Sequence, residues 1–87
     1  MTIGDIRIRI ENASKMQGSI AWQTTGPKNT NIERHGMLMF GATLVYVQTF
    51  EGGGWEAFIT ASRSNEVTAT FKAIIARVED DESVGAS

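Results

Sequence analysis

The chain has no cysteine, one proline and one histidine among its 87 residues. Without cysteine it can form neither a disulfide nor a thiolate metal site, so stability must come from a hydrophobic core or from association with other chains. A domain of this size buries only about 65% of the surface that its unfolded chain exposes. We therefore expect a homodimer or a higher oligomer, because association buries further apolar surface.

Long apolar runs are also lacking. The longest, residues 37–47, is well short of the ~20 residues that a membrane-spanning helix needs. The first ten residues, MTIGDIRIRI, alternate charge with isoleucine, whereas a signal peptide needs a continuous apolar stretch. We expect a cytoplasmic protein without a membrane partner.

Excess positive charge is lacking as well. The formal net charge is −2, and the acidic residues are concentrated in residues 64–87, which leaves the first 63 residues close to neutral. Nucleic-acid binding depends on many cations that displace counterions from phosphates. The composition therefore disfavours a nucleic-acid partner.

Apolar periodicity predicts the first and last elements most clearly. In DIRIRIE, residues 5–11, isoleucine alternates with charged residues, a period of two that is typical of a strand. SIAWQTT, residues 19–25, is the expected antiparallel partner of this strand. From Ser64, a suitable N-cap, an apolar stripe at helical spacing predicts an amphipathic helix. The stripe consists of Val67, Phe71, Ile74, Ile75 and Val78.

The segment MLMFGATLVYVQTF, residues 37–50, permits two interpretations. Its β-branched residues favour one long strand with a bulge or bend at Gly41. A helix is the alternative, because Thr30 and Glu33 have the spacing of a capping box and Gly52 could end the helix.

The strand interpretation makes EGGG, Glu51–Gly54, the loop of a hairpin with WEAFITAS as its returning arm. A P-loop would need lysine where this chain has Trp55, so the glycines are interpreted as a turn. The expected cross-strand pairs are Phe50 with Trp55, Tyr46 with Ile59, and Val47 with Phe58.

Together these elements predict one α+β domain over residues 1–80 and a disordered acidic tail over residues 81–87. The domain is an antiparallel four-stranded sheet, β-β-β-β-α, with the C-terminal amphipathic helix packed on one face. The alternative fold is an N-terminal β-hairpin followed by helices.

Catalytic equipment is sparse. His35 is the single histidine, and Glu33 is its only nearby carboxylate, which is too little to predict a metal site. The glycine-flanked serine of a hydrolase nucleophile elbow is not present. We expect no enzymatic activity, no metal and no cofactor.

Binding is the function that remains. The third strand is apolar on both faces, so its second face should be covered by another copy or by a partner protein. The expected contact regions are the loop Gly26–Gly36 and the tip Gly52–Trp55. The module would occupy a partner's surface or hold a small anionic ligand at a subunit interface. The residues expected to bind are Lys28, Arg34, His35, Trp55 and Trp22.

Two other functions stay open. Arg7 and Arg9 on the first strand, beside Trp22, would form a platform for single-stranded nucleic acid. The chain could also be an enzyme whose active site forms between subunits, with His35 and Glu33 in it.

Overall fold

Four antiparallel strands lie between two helices along the chain. The computed structural model describes the backbone of residues 1–86 and the side chains of residues 1–81. The elements are α1 (Ile3–Ser14), β1 (Ser19–Thr25), β2 (Ile32–Phe40), β3 (Thr43–Phe50), β4 (Trp55–Ala61) and α2 (Asn65–Ala86). The sheet order is β1-β2-β3-β4, so each strand pairs with its neighbour in the chain.

This architecture confirms the predicted α+β fold, an open four-stranded antiparallel sheet with a C-terminal helix. The alternative fold, a hairpin followed by helices, is wrong, because most of residues 37–50 lie in β2 and β3. Two details of the strand assignment differ from the prediction, one at the N-terminus and one at Gly41.

The N-terminal segment is a helix, so the predicted strand over residues 5–11 is wrong. Ile3, Ile6 and Ile10 are at most 1% exposed, whereas Ile8 is 46% exposed. The spacing of three and four residues between the buried isoleucines is that of one helix face. In so short a segment, isoleucines at every second position match the two-residue period of a strand and also one face of a helix. Packing against α2 favours the helix.

A capping box begins this helix. The Asp5 N–H donates to the Thr2 hydroxyl and the Thr2 N–H donates to the Asp5 carboxylate, each over 3.0 Å. These two bonds satisfy two of the donors that a helix leaves unpaired at its N-terminus. At the other end Lys15 adopts a left-handed conformation with φ of 62°, and its N–H bonds to the Glu11 carbonyl.

We predict that Asp5→Asn lowers the free energy of unfolding at neutral pH. The backbone hydrogen bond from Thr2, followed by the bond with its side chain, holds the pKa of Asp5 below the ordinary value of 3.8. A carboxyl with a lowered native pKa stabilises the fold above its unfolded pKa, and that contribution disappears as the pH falls through the native pKa. Urea unfolding of both proteins should show a difference in the free energy of unfolding at pH 7, and this difference should disappear below pH 3.8. A difference that is independent of pH would contradict this prediction.

The predicted long strand is divided by a tight turn. Phe40 pairs with Thr43, so only Gly41 and Ala42 lie in the connection between β2 and β3. Gly41 has a φ of +61°, as the first residue of a type II′ turn requires. The prediction of a bend within one strand is therefore wrong, because Gly41 reverses the chain.

The predicted hairpin at the three glycines is confirmed, with a register one residue away from the expected one. Gly52, Gly53 and Gly54 all have positive φ, between 86° and 106°. Thr49 pairs with Trp55, Tyr46 with Phe58, and Val47 with Ala57. A shift of one residue exchanges the two faces of a strand. Trp55 therefore lies on the helix side of the sheet and Phe58 on the opposite side.

Both helices pack on the same face of the sheet. α1 contacts β1, β2 and β3, α2 contacts β4, and the helices contact each other. Within residues 1–81, the core between these layers is formed by ten buried side chains, which are Ile3, Ile6, Ile10, Leu38, Phe40, Val45, Val47, Phe71, Ile75 and Val78. The predicted stripe on α2 faces this core, since Val67 and Ile74 are the partly buried members that accompany Phe71, Ile75 and Val78.

The predicted tail, residues 81–87, lies at the limit of the described chain. The backbone is helical through Ala86, whereas the sequence predicts that the ordered domain ends at residue 80. Ser87 and the side chains beyond Asp81 lie outside the described residues. The division at residue 80 stays a prediction.

Candidate functional site on the open face of the sheet

One face of the sheet has no helix packed on it in the described part of the chain. Strand alternation and pairing place one set of side chains on this face, which we call the open face. The set includes Trp22, His35, Met37, Met39, Leu44, Tyr46, Gln48, Glu56, Phe58 and Thr60, together with Ser19, Thr24 and Phe50. Trp22 is 42% exposed, Met39 40% and Phe58 49%. Large apolar side chains grouped in this way mark an interaction surface more often than scattered ones do.

Three rings form a cluster at the centre of the open face. The Trp22 and His35 ring centroids are 5.3 Å apart, and those of His35 and Tyr46 are 5.8 Å apart. Both pairs are nearly perpendicular, the edge-to-face arrangement that aromatic quadrupoles prefer. The cluster is a preformed, half-buried aromatic surface that needs little ordering when it binds a partner.

Hydrogen bonds orient this cluster. The Gln48 side-chain amide donates to the Tyr46 hydroxyl oxygen over 3.2 Å, and that oxygen lies 2.7 Å from His35 Nδ1. The Tyr46 hydroxyl therefore joins Gln48 and His35 in one hydrogen-bonded group, in which the tautomer of His35 decides whether the hydroxyl donates to Nδ1 or accepts from it.

Positive charge is absent from the open face in the described residues. Arg34 is the one cation within the four strands, and it lies on the helix side, where its Nε–H donates to the Gln23 side-chain oxygen. Glu56 is on the open face, but it lies away from the centre, at the second residue of edge strand β4. The centre of the face is therefore apolar and uncharged.

The structure brings together only two of the five residues predicted to bind. Trp22 and His35 are in contact on the open face. Arg34 lies on the opposite face, and Trp55 is half-buried against the core. Lys28 lies in the turn between β1 and β2. Adjacent strand residues must point to opposite faces, so Arg34 and His35 cannot contact one ligand from within β2.

The two predicted contact loops lie side by side at one end of the sheet. The Glu51 N–H donates to the Asn31 carbonyl over 2.8 Å, which joins the loop after β1 to the loop after β3. The first loop is shorter than predicted, because β2 begins at Ile32. The predicted contact loop Gly26–Gly36 is therefore wrong in its second half.

The arginines of the nucleic-acid platform lie on a helix. Arg7 forms an ion pair with Glu11 over 2.8 Å and bonds to the Gly18 carbonyl. α1 packs on the helix side of the sheet, whereas Trp22 lies on the open face. Arg7 and Arg9 therefore do not join Trp22 in one surface, because the strand that would have aligned them is absent.

Three of the residues on the open face, namely Met39, Tyr46 and Phe58, were not predicted from the sequence as binding residues. Apolar residues on both faces of residues 37–50 predicted a second apolar face, to be covered by another copy or a partner, and Met37 and Met39 lie on the open face. The register of β4 could not be deduced from the pattern alone. With the one-residue error, Phe58 is placed in the core instead of on the surface.

No cluster of three or more histidine or carboxylate side chains able to hold a metal ion occurs in the described residues. In the same part of the chain, neither helix is both long and apolar enough to cross a membrane. Comparisons of the chain with protein-family models, with curated proteins and with solved structures find no match.

Proposed function

We propose that this protein is a small, non-enzymatic binding module whose contact surface is the open face, and that the partner bound there is a second copy of the chain. The observation that carries the proposal is the exposure of Trp22, Met39 and Phe58 on one uncovered sheet face. Sheets that pack face to face place such side chains in a shared core. Self-association would supply the buried area that a small domain lacks.

Charge supports a second copy as the partner. In a two-fold interface each copy meets the same surface, so a charged centre would oppose itself. The centre of the open face is uncharged, and Glu56 lies on an edge strand, where it stays at the wet rim. Like charges are therefore not forced together.

The size of the face also fits. Four strands spaced by about 4.8 Å, with seven to nine residues rising about 3.3 Å each, give a flat area of roughly 480 Å² per copy. Two copies would bury about 1,000 Å², and more once the relief of the side chains is included, which reaches the range of specific interfaces.

The proposal predicts that Phe58→Glu dissociates the dimer. A carboxylate at this position would be buried without a partner, so the dissociation constant should rise at least about 30-fold, equivalent to about 2 kcal/mol. Sedimentation velocity over a micromolar concentration series measures this change. Circular dichroism confirms that the variant is folded.

Ile8→Glu is the matched control. Ile8 on α1 is 46% exposed, nearly as much as Phe58, but it lies away from the open face. The control should sediment as the unchanged protein does. A wild-type monomer at all concentrations, or equal behaviour of the two variants, would overturn the proposal.

The same aromatic cluster supports single-stranded nucleic-acid binding as a second candidate, because bases stack on exposed rings. The absence of cations from the described part of this face weakens it. An oligonucleotide complex that weakens steeply with added salt and is lost in Trp22→Ala would favour this candidate over self-association. Turnover that depends on His35 and Glu33 would instead favour an enzyme with an inter-subunit site.

A further inference from the structure

A second site lies on the opposite side of the molecule from the open face. A cavity of about 260 Å³ opens where the β2–β3 turn, the start of α2 and the segments after α1 and β4 meet. Its walls are mainly apolar and include Phe40, Phe71, Val67 and Met16. The Phe40 and Phe71 rings pack at 5.6 Å between centroids. These rings form a fixed hydrophobic wall.

A buried hydroxyl in this wall has no hydrogen-bond partner among the described residues. Thr43 is 3% exposed and lines the cavity, and its hydroxyl makes no hydrogen bond to any described residue. Thr49, the other buried threonine, has its hydroxyl bonded to the backbone N–H and carbonyl of Arg34. Native proteins rarely leave a buried hydroxyl unpaired, because an unmade bond destabilises the fold. A ligand acceptor would satisfy Thr43.

A cation that forms no ion pair within the described part of the chain lies at the same cavity. Arg63 lines it and forms no salt bridge or side-chain hydrogen bond with the described residues. Leu44 pairs with Ala61, so the register brings Thr43 beside the segment that leads to Arg63. The cavity lining thus includes one hydroxyl and one cation beside mainly apolar side chains.

We propose that this cavity binds a small apolar carboxylic acid. The hydrocarbon part packs against Phe40, Phe71 and Val67. The carboxylate accepts a hydrogen bond from the Thr43 hydroxyl and pairs with the Arg63 guanidinium, a geometry that suits carboxylates. The site is independent of the open face, so it binds whether or not the protein forms a dimer.

Hexanoate is the test ligand, titrated into the ¹⁵N-labelled protein and followed by amide chemical shifts. We expect saturable shifts at Gly41, Thr43 and Val67, with a dissociation constant of about 1 mM or lower for so small a ligand. Hexan-1-ol, which has the same chain without charge, should bind at least about tenfold more weakly. Hexylammonium should bind more weakly than the alcohol.

Two substitutions separate the polar contacts. Thr43→Val keeps the shape of the side chain, so it should weaken hexanoate about fivefold or more while raising the melting temperature, because an unpaired hydroxyl is removed. Arg63→Gln should reduce hexanoate affinity to that of hexan-1-ol. Arg77→Gln on α2, outside this cavity, is the matched control and should bind hexanoate as the unchanged protein does.

Several results would overturn the proposal. One is no saturable shift at concentrations about tenfold above the expected constant. Another is equal affinity for hexanoate and hexan-1-ol in the unchanged protein. Chemical-shift changes confined to the open face would show that hexanoate binds there and not in the cavity. Full hexanoate affinity in Thr43→Val and Arg63→Gln would show that these two side chains do not bind the carboxylate.

Discussion

Ile6→Ala is expected to lower the free energy of unfolding by about 2–5 kcal/mol. Ile6 is 0% exposed and belongs to the core that α1 shares with α2 and the sheet. Its truncation removes buried methyl groups and leaves a cavity that the packed sheet cannot close. For a domain whose total stability is of order 5 kcal/mol, much of the population would unfold. Urea denaturation followed by circular dichroism measures the change.

Ile8→Ala is the matched control for Ile6→Ala, since the two isoleucines are separated by one arginine. Ile8 is 46% exposed, so its truncation should change the free energy of unfolding by about 0.5 kcal/mol or less. In a strand, Ile6 and Ile8 would share one face and have similar costs. Equal destabilisation by the two substitutions would therefore contradict the helical N-terminus.

Gly26→Ala is expected to destabilise the fold by at least about 2 kcal/mol. A Cβ at Gly26 would clash with the Ile32 backbone carbonyl. The Gly26 N–H also donates to the Glu33 carbonyl over 2.9 Å at the end of β1. Because the obstacle is backbone, the β1–β2 connection would have to move and this bond would weaken. Urea denaturation measures the loss.

Gly4→Ala is the control for Gly26→Ala. The nearest atom to a Cβ at Gly4 is the Thr2 hydroxyl oxygen at 3.7 Å, an ordinary contact, and Gly4 lies in α1. Alanine favours a helix over glycine by up to about 1 kcal/mol, so this change should leave the stability unchanged or raise it. If Gly26→Ala were as harmless as Gly4→Ala, the close approach at the start of this loop would be refuted.

The two proposed sites are on opposite sides of the molecule and use different chemistry. The open face is the side of the sheet away from the helices, and its centre is uncharged. The cavity is on the helix side of the sheet, and Arg63 is part of its lining. Failure of the oligomerisation test would leave the cavity proposal intact. Absence of hexanoate binding would likewise not affect the proposed dimer.

Much of the fold was predictable from local patterns. The turn at Gly52–Gly54, the strand after it and the apolar stripe of α2 are each encoded within a few neighbouring residues. The helix α1 was missed because its isoleucines match a period of two as well as one face of a helix. Its start signal, Thr2 with Asp5, is a variant of a capping box that usually has glutamate or glutamine at the third position.

The candidate site was predictable only in part. Apolar residues on both faces of residues 37–50 indicated a second apolar face, which another copy or a partner was expected to cover, and Trp22 and His35 do lie together on that face. Trp55 was placed wrongly because it pairs with Thr49 and not with Phe50, as expected. Arg34 was placed wrongly because it lies within β2 and not in a loop. A one-residue register error moves every side chain of β4 to the other face.

The amino-acid sequence by itself determined where the chain turns and which segments are amphipathic, because glycine conformation and apolar spacing act over a few residues. The tertiary structure decided that the first isoleucines form a helix and which face each strand residue occupies. Those choices depend on burial against α2 and on pairing between strands, contacts between residues far apart in the chain. The uncovered face and the cavity at Thr43 both arise at that level, where several elements meet.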